Sequence, residues 1–335
     1  MENGRYKIVT YGSTVGREGS VERETLSRGG FDDFELVYVP GNDDELFFEE
    51  AGNADGICAW VYLSGKDYER LPECKVIVAP AIGVDRFDLA GATENGICIA
   101  NIPDYCLEEV AVHTLAIMMD CCRKVTFIDR LVRNGTWEAS SPWPMYRMAG
   151  RTYGLMSFGH IPQRVAELIR PLGPKIVAYD PYVPDEVFAS KGVERAASIE
   201  ELFARSDYVS VHTPHLPSTH HSIGDEAFEA FHDGGIIVVT GRGGVVDEEA
   251  LKRALDSGKV SCAGLDVIED EVNNESVLMG HDKVVMTSHV AYYTEDASID
   301  LKRKAMEQII DVVRNGKPPV NLVNKDVLGR ARFEK

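Results

Sequence analysis

The stretch "GLMSFGHIPQRVAEL", Gly154 to Leu168, has the layout of a turn that cradles a dinucleotide pyrophosphate, with two of its glycines replaced. An apolar strand-like run precedes it and a helix-like run follows, as in a G-x-G-x-x-G fingerprint. Gly159 holds the second glycine position, where backbone must approach the phosphates. Ser157 stands at the first, where a small residue manages the tight turn if its φ stays negative. Pro162 stands at the third; in a first helical turn its missing N–H has no intrahelical partner to lose. The N–H groups of His160 and Ile161 remain to meet a phosphate at the helix N-terminus. The next strand-like run, "KIVAYDPYV", ends in Asp180, about 20 residues on, where the fingerprint wants its acid. That carboxylate can accept from both hydroxyls of an adenosine ribose and repels a 2′-phosphate, which favours NAD over NADP. The plainer alternatives are an ordinary strand–turn–helix and an aspartate that shapes the turn before Pro181.

A second group of residues lies further on. Arg242 ends the apolar run of "VVTGRGG", Asp266 and Glu271 follow that of "GLDVIEDE", and His289 that of "VVMTSHVA". In a parallel α/β sheet the C-terminal strand ends form the ligand crevice, so three ionisable types converge on one rim. Singly they are unremarkable, because a turn arginine is usually a surface ion pair and a lone histidine is more often structural. Their order on successive strand ends points to chemistry on a small anion.

The elements that must position these groups are legible along the chain. Eleven short runs, from "YKIVTYG" to "KVVMTSHVA", are apolar throughout, as strands buried on both faces should be. Helical stretches such as "DEEALKRALDSG" alternate with them, acidic at the start and stopped by glycine. The pattern predicts an α/β protein of two doubly wound parallel-sheet domains. "CLEEVAVHTLAIMMDCCRKVTFIDRLVRNG", Cys106 to Gly135, reads as a single long helix between the first five strands and the later six. A second long helix, "DASIDLKRKAMEQIIDVVRNG", follows the last strand. Bracketed this way, a Rossmann-type dinucleotide-binding domain over residues 103–291 is expected to be inserted into a flavodoxin-like domain built from 1–102 and 292–335.

Composition narrows the function classes. The 335 residues are 44% hydrophobic and 27% charged, with a formal net charge of -19. Such an acidic surface repels nucleic acid and anionic membrane, so neither is an expected partner. Seven dispersed cysteines without a CxxC, and no paired Cys/His spacing, read as reduced thiols with no metal site. The start, "MENGRYKIVTYG", lacks the apolar segment of a signal peptide, and no apolar run is long enough to cross a bilayer. A cytoplasmic protein without an appended regulatory domain is expected.

The chain resembles the D-isomer-specific 2-hydroxyacid dehydrogenases in five stretches: "IGVDRFDLAGATENGI", "GRTYGLMSFGHI", "VHTPHLPSTHHSIG", "GRGGVVDEEALKRALDSGKVSCAGLDV" and "HVAYYTEDA". "NIPDY" and "HVAYYT" are most similar to the D-lactate and D-2-hydroxyisocaproate branch, with features of C-terminal-binding proteins. The resemblance implies an NAD-dependent oxidoreductase that reduces 2-oxo acids, a homodimer through the inserted domain, and domain closure over the substrate. It makes Arg242 the group that grips the substrate carboxylate, suited by its planar fork. It makes His289 the general acid and Glu271 its partner; a nearby carboxylate favours imidazolium. Asp266 is implied as acceptor for the nicotinamide carboxamide, and Thr213, Pro214, Thr219, Thr240 and Gly241 as cofactor-lining positions. Ile82 and Gly83 are implied to bind carboxylate through their amides, and Tyr105 and Tyr292 to line the pocket. Trp60 and Tyr62 either extend that wall or are core aromatics.

The departures are Ser157, Pro162, Val239 where asparagine is usual, Val112 where an acid is usual, and Pro80. Val239 is expected to loosen the loop holding Arg242. Three alternatives remain: a non-enzymatic NAD(H)-sensing or corepressor-like protein, motivated by the eroded turn; a chain of this fold that binds no dinucleotide; and a phosphoglycerate or glyoxylate/hydroxypyruvate reductase within the family.

Overall fold

The computed structural model describes residues 5–12, 19–41, 43–138 and 144–334. The chain divides into two compact units, Met1–Cys106 with Thr294–Lys335, and Leu107–Tyr293.

The first unit holds five strands, β1 (Tyr6–Tyr11), β2 (Phe34–Val39), β3 (Gly56–Ala59), β4 (Val76–Val78) and β5 (Cys98–Ala100). They run parallel in the order β2-β1-β3-β4-β5, which is the flavodoxin-like winding. Ile57, Ile77, Phe47 and Tyr68 are fully buried in its core. The helix Glu295–Val313 returns to pack on β3 and β4, its start capped by the Thr294 hydroxyl, which accepts from the Ala297 N–H at 3.0 Å. Beyond it the buried Asn324 side chain accepts from the Ile99 N–H at 2.7 Å and donates to the Ile97 carbonyl at 2.9 Å. The last stretch of chain thereby occupies the free edge of β5, which would otherwise offer unpaired backbone groups.

The second unit holds β6 (Thr152–Met156), β7 (Lys175–Tyr179), β8 (Glu194–Arg195), β9 (Tyr208–Val211), β10 (Gly235–Val239), β11 (Val260–Leu265) and β12 (Val284–Met286). All pairs are parallel, in the order β12-β11-β10-β9-β6-β7-β8. This is the Rossmann winding with one added strand, and it reverses between β6 and β9. Successive strand residues enter opposite layers, which is why the strands read as continuously apolar. Ile237 and Val239 pack with Phe203, Phe231 and Leu255, while Ile236 and Val238 pack with Ile117, Tyr153 and Phe158.

The eleven apolar runs all contain strands; a twelfth strand among the described residues, β8, carries no such run. It is two charged, exposed residues at the sheet edge, too short to carry a period. The stretch Cys106–Gly135 is not one helix. It forms Leu107–Arg123 and Val125–Arg133, separated by Lys124 in the left-handed conformation at φ 56°. Asp120 holds the break with its side chain, whose Oδ1 accepts from the Thr126 N–H at 2.8 Å. A lysine carries no breaker signal, so helix periodicity ran through it.

Candidate active site

The turn after β6 is built differently from the expectation. Ser157 has φ 84°, in the left-handed region, not the negative φ that a serine favours. The first glycine of the fingerprint exists to supply this conformation, and a non-glycine residue there costs on the order of 1–3 kcal/mol. Hydrogen bonds hold it in place. The Ser157 N–H donates to the Tyr179 carbonyl at 2.8 Å, and its hydroxyl donates to Asp180 Oδ2 at 3.2 Å. The Phe158 N–H also donates to Asp180 Oδ2, at 2.9 Å, while Oδ1 accepts from the N–H groups of Tyr182 and Val183 at 2.9 and 3.2 Å. A carboxylate has about four lone-pair sites, and all four are engaged here. Asp180, largely buried, therefore shapes the turn from within.

Gly159 caps the helix His160–Ile169, and Pro162 lies buried in its first turn, where a missing N–H costs nothing. A Cβ built on Gly159 meets nothing within 4 Å, so the approach to the helix N-terminus is open. First-turn amides have no intrahelical acceptor, which leaves the N–H groups of His160 and Ile161 directed at that space. The residues present fit a dinucleotide diphosphate.

The neighbouring strand ends continue the rim. After β9, the Thr213 hydroxyl donates to the Met156 carbonyl at 3.4 Å, and the Thr219 hydroxyl closes a turn by donating to the Pro214 carbonyl at 2.7 Å. The Thr240 hydroxyl meets that of Thr114 at 2.9 Å. His212, to which no motif in the sequence points, bridges Ser210 and Thr240: Nε2 lies 2.8 Å from the Ser210 hydroxyl and Nδ1 3.4 Å from that of Thr240. Part of the residue is exposed, but the ring is desolvated, which lowers its pKa to about 3 and keeps it neutral.

Arg242 follows β10 through a backbone squeezed between two others. A Cβ on Gly241 would lie 2.8 Å from the Thr213 carbonyl oxygen, and one on Gly243 would lie 2.0 Å from the Ile268 carbonyl carbon. Only glycine fits on either side of the arginine, and this fixes where its Cα sits. The guanidinium donates from Nη1 to the Gly241 carbonyl at 2.9 Å. Val239 is buried in β10, and its carbonyl accepts from the Asp266 N–H at 2.9 Å.

Asp266, at the end of β11, is 1% exposed and fastens the loop that carries His289. Its Oδ1 accepts from the Thr287 hydroxyl at 2.6 Å and the Val290 N–H at 3.0 Å, and its Oδ2 from the Ala291 N–H at 2.9 Å. Its backbone oxygen accepts from the His289 N–H at 2.7 Å. Burial raises the pKa of this carboxyl, but hydrogen bonds from His113, Thr287 and the Ala291 and Val290 amides outweigh it and hold it below the ordinary range. His113, unsuspected from sequence, reaches Thr287 Oγ1 with Nε2 at 3.0 Å from the helix Leu107–Arg123. His289 itself has φ 53°, and its Nδ1 lies 2.8 Å from Glu271 Oε2. Both side chains of this pair are 41% exposed, so it is a rim pair and not a buried one. The Tyr292 ring stands edge-on to the imidazole, 6.4 Å between centroids. Arg242, Glu271 and His289 thus project from three consecutive strand ends of the same unit.

Residues 115–291 match the family described as D-isomer specific 2-hydroxyacid dehydrogenase, NAD binding domain. The chain belongs to the D-isomer-specific 2-hydroxyacid dehydrogenase family. It is 36% identical over 256 residues to a D-3-phosphoglycerate dehydrogenase of Methanocaldococcus jannaschii, covering 76% of this chain and 48% of that protein. The chain thus spans about half the length of the phosphoglycerate dehydrogenases it matches. A glyoxylate reductase of Korarchaeum cryptofilum is 34% identical over 265 residues, covering 78% of this chain and 79% of that one. Among solved structures, a D-2-hydroxyisocaproate dehydrogenase superposes with a TM-score of 0.83 at 26% identity, over 95% of this chain and 99% of the other. The second unit is the family's NAD-binding domain.

In the first unit, Ile82 and Gly83 follow β4, and the Ile82 carbonyl accepts from the Asn101 side chain at 2.6 Å. Tyr105 is buried beyond β5. Tyr62 is 63% exposed and not a core aromatic, whereas Trp60 is partly buried and packs against the core of this unit; the two rings flank the Arg86 guanidinium at 4.7 and 5.0 Å respectively.

Two outcomes follow from these bonds. Asp180→Ala leaves the buried Phe158 N–H unpaired and releases Ser157, so urea unfolding should show a loss of about 2–4 kcal/mol; a purely ribose-binding aspartate would leave stability unchanged. The second concerns His212. Its folded pKa is depressed, so the unfolded chain takes up a proton near pH 6.5 that the folded chain refuses until about pH 3. Stability should fall across that window as pH drops, by up to about 1.4 kcal/mol per pH unit from this residue. Urea midpoints measured between pH 7 and 4 should decline less steeply in His212→Asn; identical slopes would refute the assignment.

Proposed function

We propose that this protein is an NAD-dependent reductase of 2-oxo acids to D-2-hydroxy acids, with Arg242, Glu271 and His289 as its reacting groups. The 2.8 Å contact between His289 Nδ1 and Glu271 Oε2 carries the reading. It spends Nδ1 on the carboxylate, fixes the ring, and leaves Nε2 to hold a proton for substrate. Bound NADH supplies the hydride to the carbonyl carbon. As negative charge gathers on the carbonyl oxygen, His289 Nε2 gives it a proton, and Glu271 balances the imidazolium before the step. Arg242, fixed between Gly241 and Gly243, pairs with the substrate carboxylate and orients the carbonyl.

His160 and Ile161 are assigned to the diphosphate through their amides, beside Gly159. Thr213, Pro214, Thr219, Thr240 and Gly241 are assigned to the cofactor wall. Asp266 is assigned to holding the His289 loop, where any contact to a carboxamide adds to bonds already made. Ile82, Gly83 and Tyr105 are assigned to substrate contacts on their place after the C-terminal ends of β4 and β5, and Tyr292 on its place beside His289.

A second reading within the same chemistry, reduction of glyoxylate, hydroxypyruvate or a phosphorylated 2-oxo acid, is favoured by the names of the sequence relatives. The aromatic pair Trp60 and Tyr62 favours a larger, unphosphorylated side chain. Seven buried free cysteines support a reducing compartment, hence the cytoplasm. No helix among the described residues is long and apolar enough to cross a membrane. A homodimer is supported by the helix Val125–Arg133, which buries no residue in its own unit although Val125, Ile128, Leu131 and Val132 give it an apolar face. Trp137, 88% exposed, extends that surface.

Purified protein with NADH should oxidise it in the presence of some member of a panel of 2-oxo acids, aliphatic, aromatic and phosphorylated. His289→Ala should lower kcat by roughly 10²–10⁴-fold. Tight NADH binding without turnover on any acid would favour a dinucleotide sensor instead. Sedimentation should show a dimer that Val132→Glu weakens; a wild-type monomer at micromolar concentration would remove the dimer from the proposal.

A further inference from the structure

The histidines of "PHLPSTHH" have no part in the reaction above, and the fold brings them to one place. His220 and His221 stack with ring centroids 3.9 Å apart. His221 Nε2 lies 2.9 and 3.0 Å from the two carboxylate oxygens of Glu269, which arrives from the loop after β11, 48 residues away. His215 Nε2 lies 3.1 Å from His220 Nδ1, which engages that nitrogen and leaves His220 Nε2 open. One ligand atom from each of His220, His221 and Glu269 lies within 4.8 Å of the others.

We propose that His220, His221 and Glu269 form a binding site for a divalent first-row transition ion of the zinc class, distinct from the dinucleotide and substrate sites. Zinc bonds to imidazole nitrogen and carboxylate oxygen of about 2.0–2.2 Å place neighbouring ligand atoms of a tetrahedron roughly 3.3 Å apart. The three ligand atoms, within 4.8 Å of one another, reach that spacing by side-chain rotation that unstacks the two rings. Two imidazoles and one carboxylate select zinc, nickel or cobalt over calcium and magnesium, which prefer all-oxygen shells. The His215–His220 contact is the second-sphere bond that ligating histidines use to fix their tautomer and ring angle. The net charge of -19 further favours a cation at an exposed position. A water completes the fourth position.

The site is not catalytic but lies on the loops that carry catalytic groups. Glu269 precedes Glu271 by two residues, and the His221 N–H donates to the carbonyl of Gly244 at 2.9 Å, two residues after Arg242. An ion here ties the loop after β9 to the loop after β11, where the His221–Glu269 contact otherwise makes a single exposed bridge.

The test uses the full chain without a polyhistidine tag, stripped with chelator and titrated with Zn²⁺ and Co²⁺. Calorimetry should give one saturable equivalent, and Co²⁺ should develop the intense visible absorption of a tetrahedral site. Glu269→Gln, a near-isosteric change at an exposed position, should abolish the saturable equivalent, as should His220→Ala/His221→Ala. His215→Ala should weaken affinity on the order of 10–100-fold, as loss of a second-sphere partner does. His281→Ala, in a separate His–Asp pair, should bind as wild type does. Absence of saturable binding by the wild-type chain overturns the proposal, and so does Glu269→Gln binding equal to wild type. Circular dichroism confirms that each variant is folded, so loss of binding reports on the site.

Discussion

The Asp266 carboxylate is the interaction on which the site depends. It sits almost wholly out of water at the end of β11 and accepts from one hydroxyl and two amides of the segment 287–291. A buried carboxylate is costly unless its oxygens are satisfied, and these donors satisfy it. The same bonds dictate the path of the chain around His289, whose φ of 53° no isolated histidine would prefer. A strained backbone at a reactive side chain persists only when its surroundings over-determine it. Here the determinant is one anion, supported from the neighbouring helix by His113.

Asp180 does the corresponding work at the other side of the sheet's reversal point. Its four acceptor positions are taken by the turn it faces, and through them Ser157 stays in a conformation meant for glycine. The two acids expected to contact the cofactor, Asp180 from the fingerprint and Asp266 from the resemblance, are also internal fasteners. Between them, Arg242 is placed by exclusion, with backbone pressing on both sides where no side chain fits. Loops of a doubly wound fold are usually its most variable parts; these are braced by buried charge and by close backbone contact.

Much of this was readable before any coordinates. Buried parallel strands give uninterrupted apolar runs, so the two sheets and their order of elements were plain, and so was the convergence of Arg242, Glu271 and His289 on strand ends. What escaped depended on geometry that residue type does not encode. Ser157 goes left-handed because Asp180 holds it, and the pairing spans 23 residues. Lys124 breaks a helix because Asp120 offers the next turn a better acceptor. β8 is too short and too polar to show a period. His113 and His212 carry no signal in the sequence because their partners, Thr287 and Thr240, lie far along the chain. The histidine cluster has the same cause: its carboxylate comes from another loop, and no short spacing in the sequence brings it near.

The first unit is assembled from both ends of the polypeptide, with Asn324 bonded across to Ile97 and Ile99 and the helix Glu295–Val313 laid on β3 and β4. As the chain leaves the ribosome, residues 1–106 emerge with β3 and β4 bare on one face and one strand edge open, while the whole of the second unit is made before their missing pieces. The nascent protein thus acquires its dinucleotide fold first. The older segment waits exposed for nearly two hundred residues of translation, the interval in which a chaperone has most to protect.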